Sequence, residues 1–118
     1  MSKPHIVVVE DDPSILFLVK MTLEYSGYLV TTASDGLAAS AILGRTRPDL
    51  LLLDMNLPGK PGWDVINELR LRDTLPIIIM SGRNPREPQI QVAAAKADAY
   101  LIKPFGVDEL TAAVERFI

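Results

Sequence analysis

The sequence contains no cysteine, which excludes disulfides, thiolate catalysis and cysteine-ligated metal sites together. It has a single histidine, His5, which opens a β-branched run and reads as a strand-start residue rather than a catalyst. No apolar run approaches the roughly 20 residues that a membrane span needs, and no secretory signal pattern opens the chain. A soluble, cytoplasmic protein with no membrane partner is therefore expected. An excess of basic charge is also missing: 12 Lys and Arg stand against 15 Asp and Glu, for a net charge of −3. Phosphate backbones demand a concentrated basic surface, so no direct nucleic-acid partner is expected. Repeats, low-complexity tracts and linkers are absent. What is present, 118 residues of which 48% are hydrophobic, predicts one domain over residues 1–118 with a real core.

The chain is organised around Asp49-Leu50-Leu51-Leu52-Leu53-Asp54-Met55-Asn56-Leu57-Pro58-Gly59. Four leucines in succession without polar alternation suit a strand buried on both faces, as in a parallel sheet covered by helices. The run ends in a carboxylate and then in the turn residues Asn, Pro and Gly. Asp54 stands where α/β folds place their ligands, although an Asp there also serves as an ordinary cap or loop start.

A second buried strand, His5 to Val9, ends in Glu10-Asp11-Asp12 and then Pro13. Asp before Pro reads as N-cap and first helical position, so Asp12 has a structural task, whereas Glu10 and Asp11 have none. The helix that follows carries Ile15, Leu18, Val19, Thr22 and Leu23 as its apolar stripe and stops at Ser26-Gly27, where Gly takes a left-handed cap. Tyr28 to Thr32 reads as a strand nearer the edge, and Ser34 or Asp35 caps a helix through Leu37 and Ile42 to Gly44. Trp63, Val65, Ile66 and Leu69 mark a third helix, with Trp63 packing it onto the sheet. Leu75 to Met80 is a fourth strand ending at Ser81-Gly82, with Met80 in the core. Ile90 to Ala95 is a short alanine-rich helix entered through Pro85 and Pro88. Ala99 to Ile102 is a fifth strand ending at Lys103-Pro104, and a last helix from about Val107 points Leu110, Val114 and Phe117 inward. Strand and helix alternate five times, which predicts an α/β, doubly wound, five-stranded parallel sheet with five helices and right-handed crossovers.

Strand ends gather on one edge of such a sheet. There stand Glu10 and Asp11, Asp54, Ser81 and Lys103. Three crowded carboxylates repel unless positive charge sits among them. Two sources qualify: a hard divalent cation such as Mg2+ and the Lys103 ammonium. Asp54 as nucleophile, the cation and Lys103 against equatorial oxygens, and Ser81 as donor together fit phosphoryl transfer.

At these residues the chain resembles the response-regulator receiver domain of two-component signalling, in its chemotaxis-regulator-like form. The likeness spans essentially the whole chain through VVVEDD, LLLLDMNLPG, IIIMSG and AYLIKPF. The resemblance implies a flavodoxin-like strand order 2-1-3-4-5 and a cis Lys103-Pro104 bond. It implies that Asp54 accepts phosphate from a histidine kinase or phosphotransfer protein. Mg2+ would be bound directly by Asp11, through water by Glu10, by Asp54 and by the backbone carbonyl of Asn56. Lys103 would pair with the phosphoryl group, while Ser81 and Tyr100 would form a switch that carries Tyr100 from exposed to buried. The face of the fourth helix, fifth strand and fifth helix would address a downstream target or fused output domain. The chain would assist its own phosphorylation and dephosphorylation without being an enzyme in the usual sense.

Some positions depart from the family pattern. Lys96 replaces a Gly that commonly ends the fourth helix, so a positive φ is expected there. Ala99 replaces an acid used in one class of receiver dimer, Pro61 replaces an acid and stiffens its loop, and Arg83 occupies a place linked to dephosphorylation rate. A receiver acting by surface contact without phosphorylation is the alternative reading. An aspartyl phosphatase is disfavoured, because the residue two after the nucleophile is Asn56, which cannot serve as a general acid.

Overall fold

Alternating residues of the apolar strands have to point to opposite faces, so a strand without polar residues is stable only when both faces are covered. The structure, a computed structural model, describes residues 3–118, the side chains of Gln89 and Ala93 excepted. It meets that demand with five parallel strands in the order β2-β1-β3-β4-β5, as expected. These are β1 (His5–Val9), β2 (Leu29–Ala33), β3 (Leu50–Asp54), β4 (Ile77–Ser81) and β5 (Ala99–Ile102). The connecting helices are α1 (Pro13–Tyr25), α2 (Gly36–Arg45), α3 (Gly62–Arg70), α4 (Pro88–Ala94) and α5 (Val107–Glu115).

The core divides by strand parity. Val7, Val9, Leu51, Leu53, Ile77 and Ile79 pack on one face against Ala39 and Leu43 of α2 and Val65, Ile66 and Leu69 of α3. Ile6, Val8, Leu50, Leu52, Ile78 and Met80 pack on the other against Val19 and Leu23 of α1 and Leu110 and Val114 of α5. All four β3 leucines are fully buried, and burial of each contributes on the order of 2 kcal/mol. The central strands are thus the least mobile platform on which a site can stand.

Local chemistry sets the helix ends. Asp12 Oδ1 accepts from the Ser14 and Ile15 amides at 2.8 and 3.3 Å, and Asp35 Oδ1 from the Ala38 amide at 2.8 Å. Gly27 closes α1 at φ 97°. The inward line of α1 keeps most of the expected stripe: Val19 and Leu23 are buried and Ile15 packs beside them, but Leu16 joins it and Leu18 is exposed. The inward face thus widens to Ile15 and Leu16 at its start, because α1 shares it between the sheet and α5. β4 begins at Ile77 rather than at Leu75, and β2 runs one residue further, to Ala33.

Lys96 is a clear correction. Among the described residues positive φ occurs only at Gly27 and Gly59, so Lys96 is not left-handed. α4 ends through a tight turn in which the Ala97 amide donates to the Ala94 carbonyl at 3.1 Å. The Lys96 carbonyl is taken by Arg70 Nε at 2.9 Å. With last-turn carbonyls of α4 taken by the Ala95 and Ala97 amides, the helix needs no left-handed cap, and no gain is expected from Lys96→Gly.

Gly62 sets how closely α3 can approach the end of β3. A Cβ there would lie 2.6 Å from the Asp54 carbonyl oxygen and 2.8 Å from Met55 Cα, both of them backbone. Gly62→Ala is therefore expected to destabilise by about 2 to 3 kcal/mol. Gly44→Ala, in α2 with nothing within 4 Å, should stabilise by roughly 0.5 to 1 kcal/mol. Urea denaturation of both variants checks this; a Gly62→Ala protein as stable as the parent would refute it.

Candidate functional site

Strand order reverses between β1 and β3, because the chain leaves β1 towards β2 and returns to β3 on the other side. The crevice beyond those two carboxyl ends is the ligand position in open α/β sheets. β1 delivers Glu10 and Asp11 there, and β3 delivers Asp54, its last residue. Glu10 and Asp54 are buried and Asp11 is exposed. One carboxylate oxygen from each of the three lies within 4.8 Å of the others. From the end of β5, on a cis Lys103-Pro104 bond, Lys103 places Nζ 2.5 Å from Glu10 Oε1 and 3.3 Å from Asp54 Oδ2. Asp54 Oδ1 accepts from the Asn56 amide at 3.1 Å, and Glu10 Oε2 from the Asp12 amide at 3.1 Å. Asn56 thus meets Asp54 through its backbone while its side chain faces solvent.

The electrostatics follow from this crowding. Burial pushes the Glu10 carboxyl up to about 7; Lys103 opposes the rise and Asp54 adds to it. Burial works against the Lys103 ammonium, but Glu10 and Asp54 outweigh it and hold its pKa above the ordinary lysine value. Glu10 Oε1 faces that ammonium without an aligned hydrogen bond. Three carboxylates against one ammonium leave an excess of negative charge and an underused buried oxygen. This donor set, all oxygen and partly open to solvent at Asp11, fits a hard divalent cation such as Mg2+.

Ser81 ends β4 fully buried. Its Oγ accepts from the Arg83 amide at 3.1 Å, which leaves the hydroxyl hydrogen free to donate. Tyr100 was expected to be exposed, yet it is already half-buried against the face that α3 covers, beside Ala94 and Ala97. Small side chains at the end of α4 make that room. Its hydroxyl donates to the Arg83 carbonyl at 2.8 Å, so Ser81 and Tyr100 meet through the backbone of one intervening residue. The Arg83 side chain turns away to Glu87, 2.8 Å distant. Sequence reading had no means of finding this bridge, because its polar atoms belong to the main chain. The narrow fit at Gly62 did carry a signal, a Gly at the first position of a helix behind Pro61.

A parallel sheet of this order, with a carboxylate trio, a hydroxyl and a lysine at its switch point, defines the receiver class of signalling domain. The sequence profile described as "Response regulator receiver domain" matches residues 6–115, and the chain belongs to that family. It is 40% identical over 115 residues to the transcriptional regulatory protein KdpE of Mycobacterium tuberculosis, covering 94% of this chain and 51% of that protein. To the transcriptional regulatory protein PrrA of Mycobacterium leprae it is 37% identical over 119 residues, covering 100% and 51%. The chain thus spans about half the length of these curated relatives. Among solved structures, the chemotaxis response regulator CheY4 of Vibrio cholerae superposes with a TM-score of 0.90 at 28% identity, covering 99% of this chain and 100% of that one. The response regulator TrrA of Thermotoga maritima, crystallised in complex with Mg2+ and BeF, gives 0.87 at 32% identity, covering 98% and 99%. Among the described residues no helix is long and apolar enough to cross a membrane.

The raised Glu10 pKa has a sign that can be tested. Between the ordinary value of 4.5 and about 7 the folded chain binds more protons than the unfolded one, so metal-free stability falls as pH rises through that window and levels above it. The loss is about 3 kcal/mol at 1.36 kcal/mol per pH unit. Glu10→Gln should flatten the profile and raise metal-free stability at pH 7.5. Urea denaturation in EDTA across this range is the measurement; a flat parent profile contradicts the assignment.

Proposed function

We propose that the chain is a phosphorylation-driven signalling switch in which Asp54 accepts a phosphoryl group from the phosphohistidine of a histidine kinase or phosphotransfer protein. The observation that carries this reading is the placement of Asp54. It is a buried carboxylate at the end of the central strand, with the Asn56 amide on Oδ1 and the Lys103 ammonium near Oδ2. A carboxylate oxygen attacks phosphorus, the P–N bond of the donor breaks, and its electron pair returns to the imidazole. Holding both Asp54 oxygens limits rotation of the carboxylate, so its attacking lone pairs are oriented before the donor arrives.

Asp11 directly, Glu10 mainly through water, Asp54, and the Asn56 backbone carbonyl would hold Mg2+. When bound, that ion supplies positive charge against the phosphoryl oxygens. Lys103 shifts from Glu10 towards the new phosphoryl group, and the Ser81 hydroxyl donates to one of its oxygens. Movement of Ser81 disturbs its bond with the Arg83 amide. The Arg83 carbonyl holds Tyr100, so the disturbance reaches the face of α4, β5 and α5. Control of a downstream target or fused output domain through that face fits relatives named as transcriptional regulators. On this reading the chain itself contacts neither nucleic acid nor membrane, works in the cytoplasm, and turns over only its own phosphoryl group rather than acting as an enzyme on others.

Incubation with acetyl phosphate and Mg2+ should add one phosphoryl group, detected by intact-protein mass. Asp54→Asn or EDTA should abolish the addition. Undiminished labelling of the Asp54→Asn protein would overturn the proposal, and absence of labelling in the parent would favour a receiver that works without phosphorylation.

Beryllofluoride with Mg2+ should shift the NMR amide resonances of residues 83–103 more than those of α1 and α2. Quiet resonances in 83–103, with the largest remote changes in α1 and α2, would rule out this route.

A further inference from the structure

We infer that Lys60 is a positioning residue for the cation site, acting through the loop that orients the Asp54 carboxylate. The inference deepens the proposed function and rests on its reading of that site. The loop between β3 and α3 begins at Met55 and returns at Pro61, and Asn56 within it donates its amide to Asp54 Oδ1 at 3.1 Å. Its outgoing leg is anchored in the core by Met55 and Leu57, both buried. The turn itself is solvated, with Pro58 and Gly59 exposed and Gly59 left-handed at φ 72°. A loop anchored only at its outgoing leg and its base would let Asn56 rock with the exposed turn.

The Gly62 amide closes the base of the loop on the Met55 carbonyl at 3.1 Å, and Lys60 supplies the anchor above that base. Its ammonium pairs with Glu68, two turns along α3, and Glu68 Oε1 accepts from the Ser40 hydroxyl of α2 at 3.2 Å. The Lys60 carbonyl is lodged against the start of α2, so that a Cβ on Gly36 would come within 2.0 Å of it. The returning leg is thus tied to α3 by charge and to α2 by shape. The hydrogen bond from Lys60 pulls the Glu68 carboxyl below its ordinary pKa, so Glu68 is ionised at neutral pH. Lys60 touches none of the three clustered carboxylates. It acts by narrowing the range of loop positions and, with it, the orientation of Asp54 and of the Asn56 backbone group beside it.

The test is Mg2+ binding to the parent, Lys60→Met, Glu68→Gln, the double variant and Lys60→Arg. Isothermal titration and the fluorescence of Trp63, the single tryptophan, report binding. Lys60→Met keeps most of the apolar stem and removes the charge. A partly exposed ion pair acting indirectly sets the scale at about a fivefold weaker affinity. Labelling by acetyl phosphate should need about fivefold more Mg2+ for half its rate, yet reach the parental rate at saturation. The double variant should match the singles, and Lys60→Arg should restore parental affinity. Affinity within twofold of the parent in Lys60→Met overturns the role of Lys60 while leaving the site intact. So does a loss of rate that saturating Mg2+ does not recover, or additive effects in the double variant. Failure of the parent itself to bind Mg2+ overturns both this inference and the reading beneath it.

Discussion

Like-charge repulsion at the end of a buried sheet is the constraint on which the site depends. Glu10 and Asp54 are forced out of water by the same strands that make the core, and Asp11 stands beside them. Among the described residues, one ammonium, from the far side of the sheet, is the cationic charge placed against them. Burial raises the energy of every charged form there, so the arrangement gains most from a ligand that brings positive charge or rearranges the existing one. A site stabilised without such a ligand would have little reason to respond to one.

The backbone takes a larger share of that design than the side chains do. Asn56 and Asp12 meet the acids through their amides, and Arg83 joins Ser81 to Tyr100 through its amide and carbonyl. Gly62 and Gly36 let helix starts close on neighbouring chain with no room for a methyl group. Main-chain donors do not change rotamer, so they hold the acids in place with little loss of conformational freedom.

Stability is unevenly spread around this platform. α3 is amphipathic and well buried through Val65, Ile66 and Leu69. α4 is short, buries Ile90 and leaves Val92 69% exposed. Its far end is held by Arg70, which reaches the Lys96 carbonyl and Asp98 Oδ2 at 3.1 Å, with Asp98 in turn accepting from the Ile77 amide. The end nearer the site enters through Pro85 and Pro88, where Glu87 pairs with Arg83 at 2.8 Å and the Arg83 carbonyl receives the Tyr100 hydroxyl. An element with so little buried apolar area is one that a small bias can move.

The sequence by itself determined the strands, because β-branched and leucine runs without polar alternation have no other soluble solution. It also determined the cap at Asp12, narrowed that of α2 to Ser34 or Asp35, and supplied the chemical identity of the acids, hydroxyl and lysine at the strand ends; the structure chose Asp35. Only the tertiary structure decided what depends on partners distant in the chain. Leu18 lies outward because α1 is shared between the sheet and α5. Lys96 has no positive φ, and its carbonyl is taken by Arg70, 26 residues away. Tyr100 is half-buried because Ala94 and Ala97 leave it room and the Arg83 carbonyl receives its hydroxyl. Periodicity records which side of an element is apolar; it holds no information on which remote group will satisfy a carbonyl or vacate a volume.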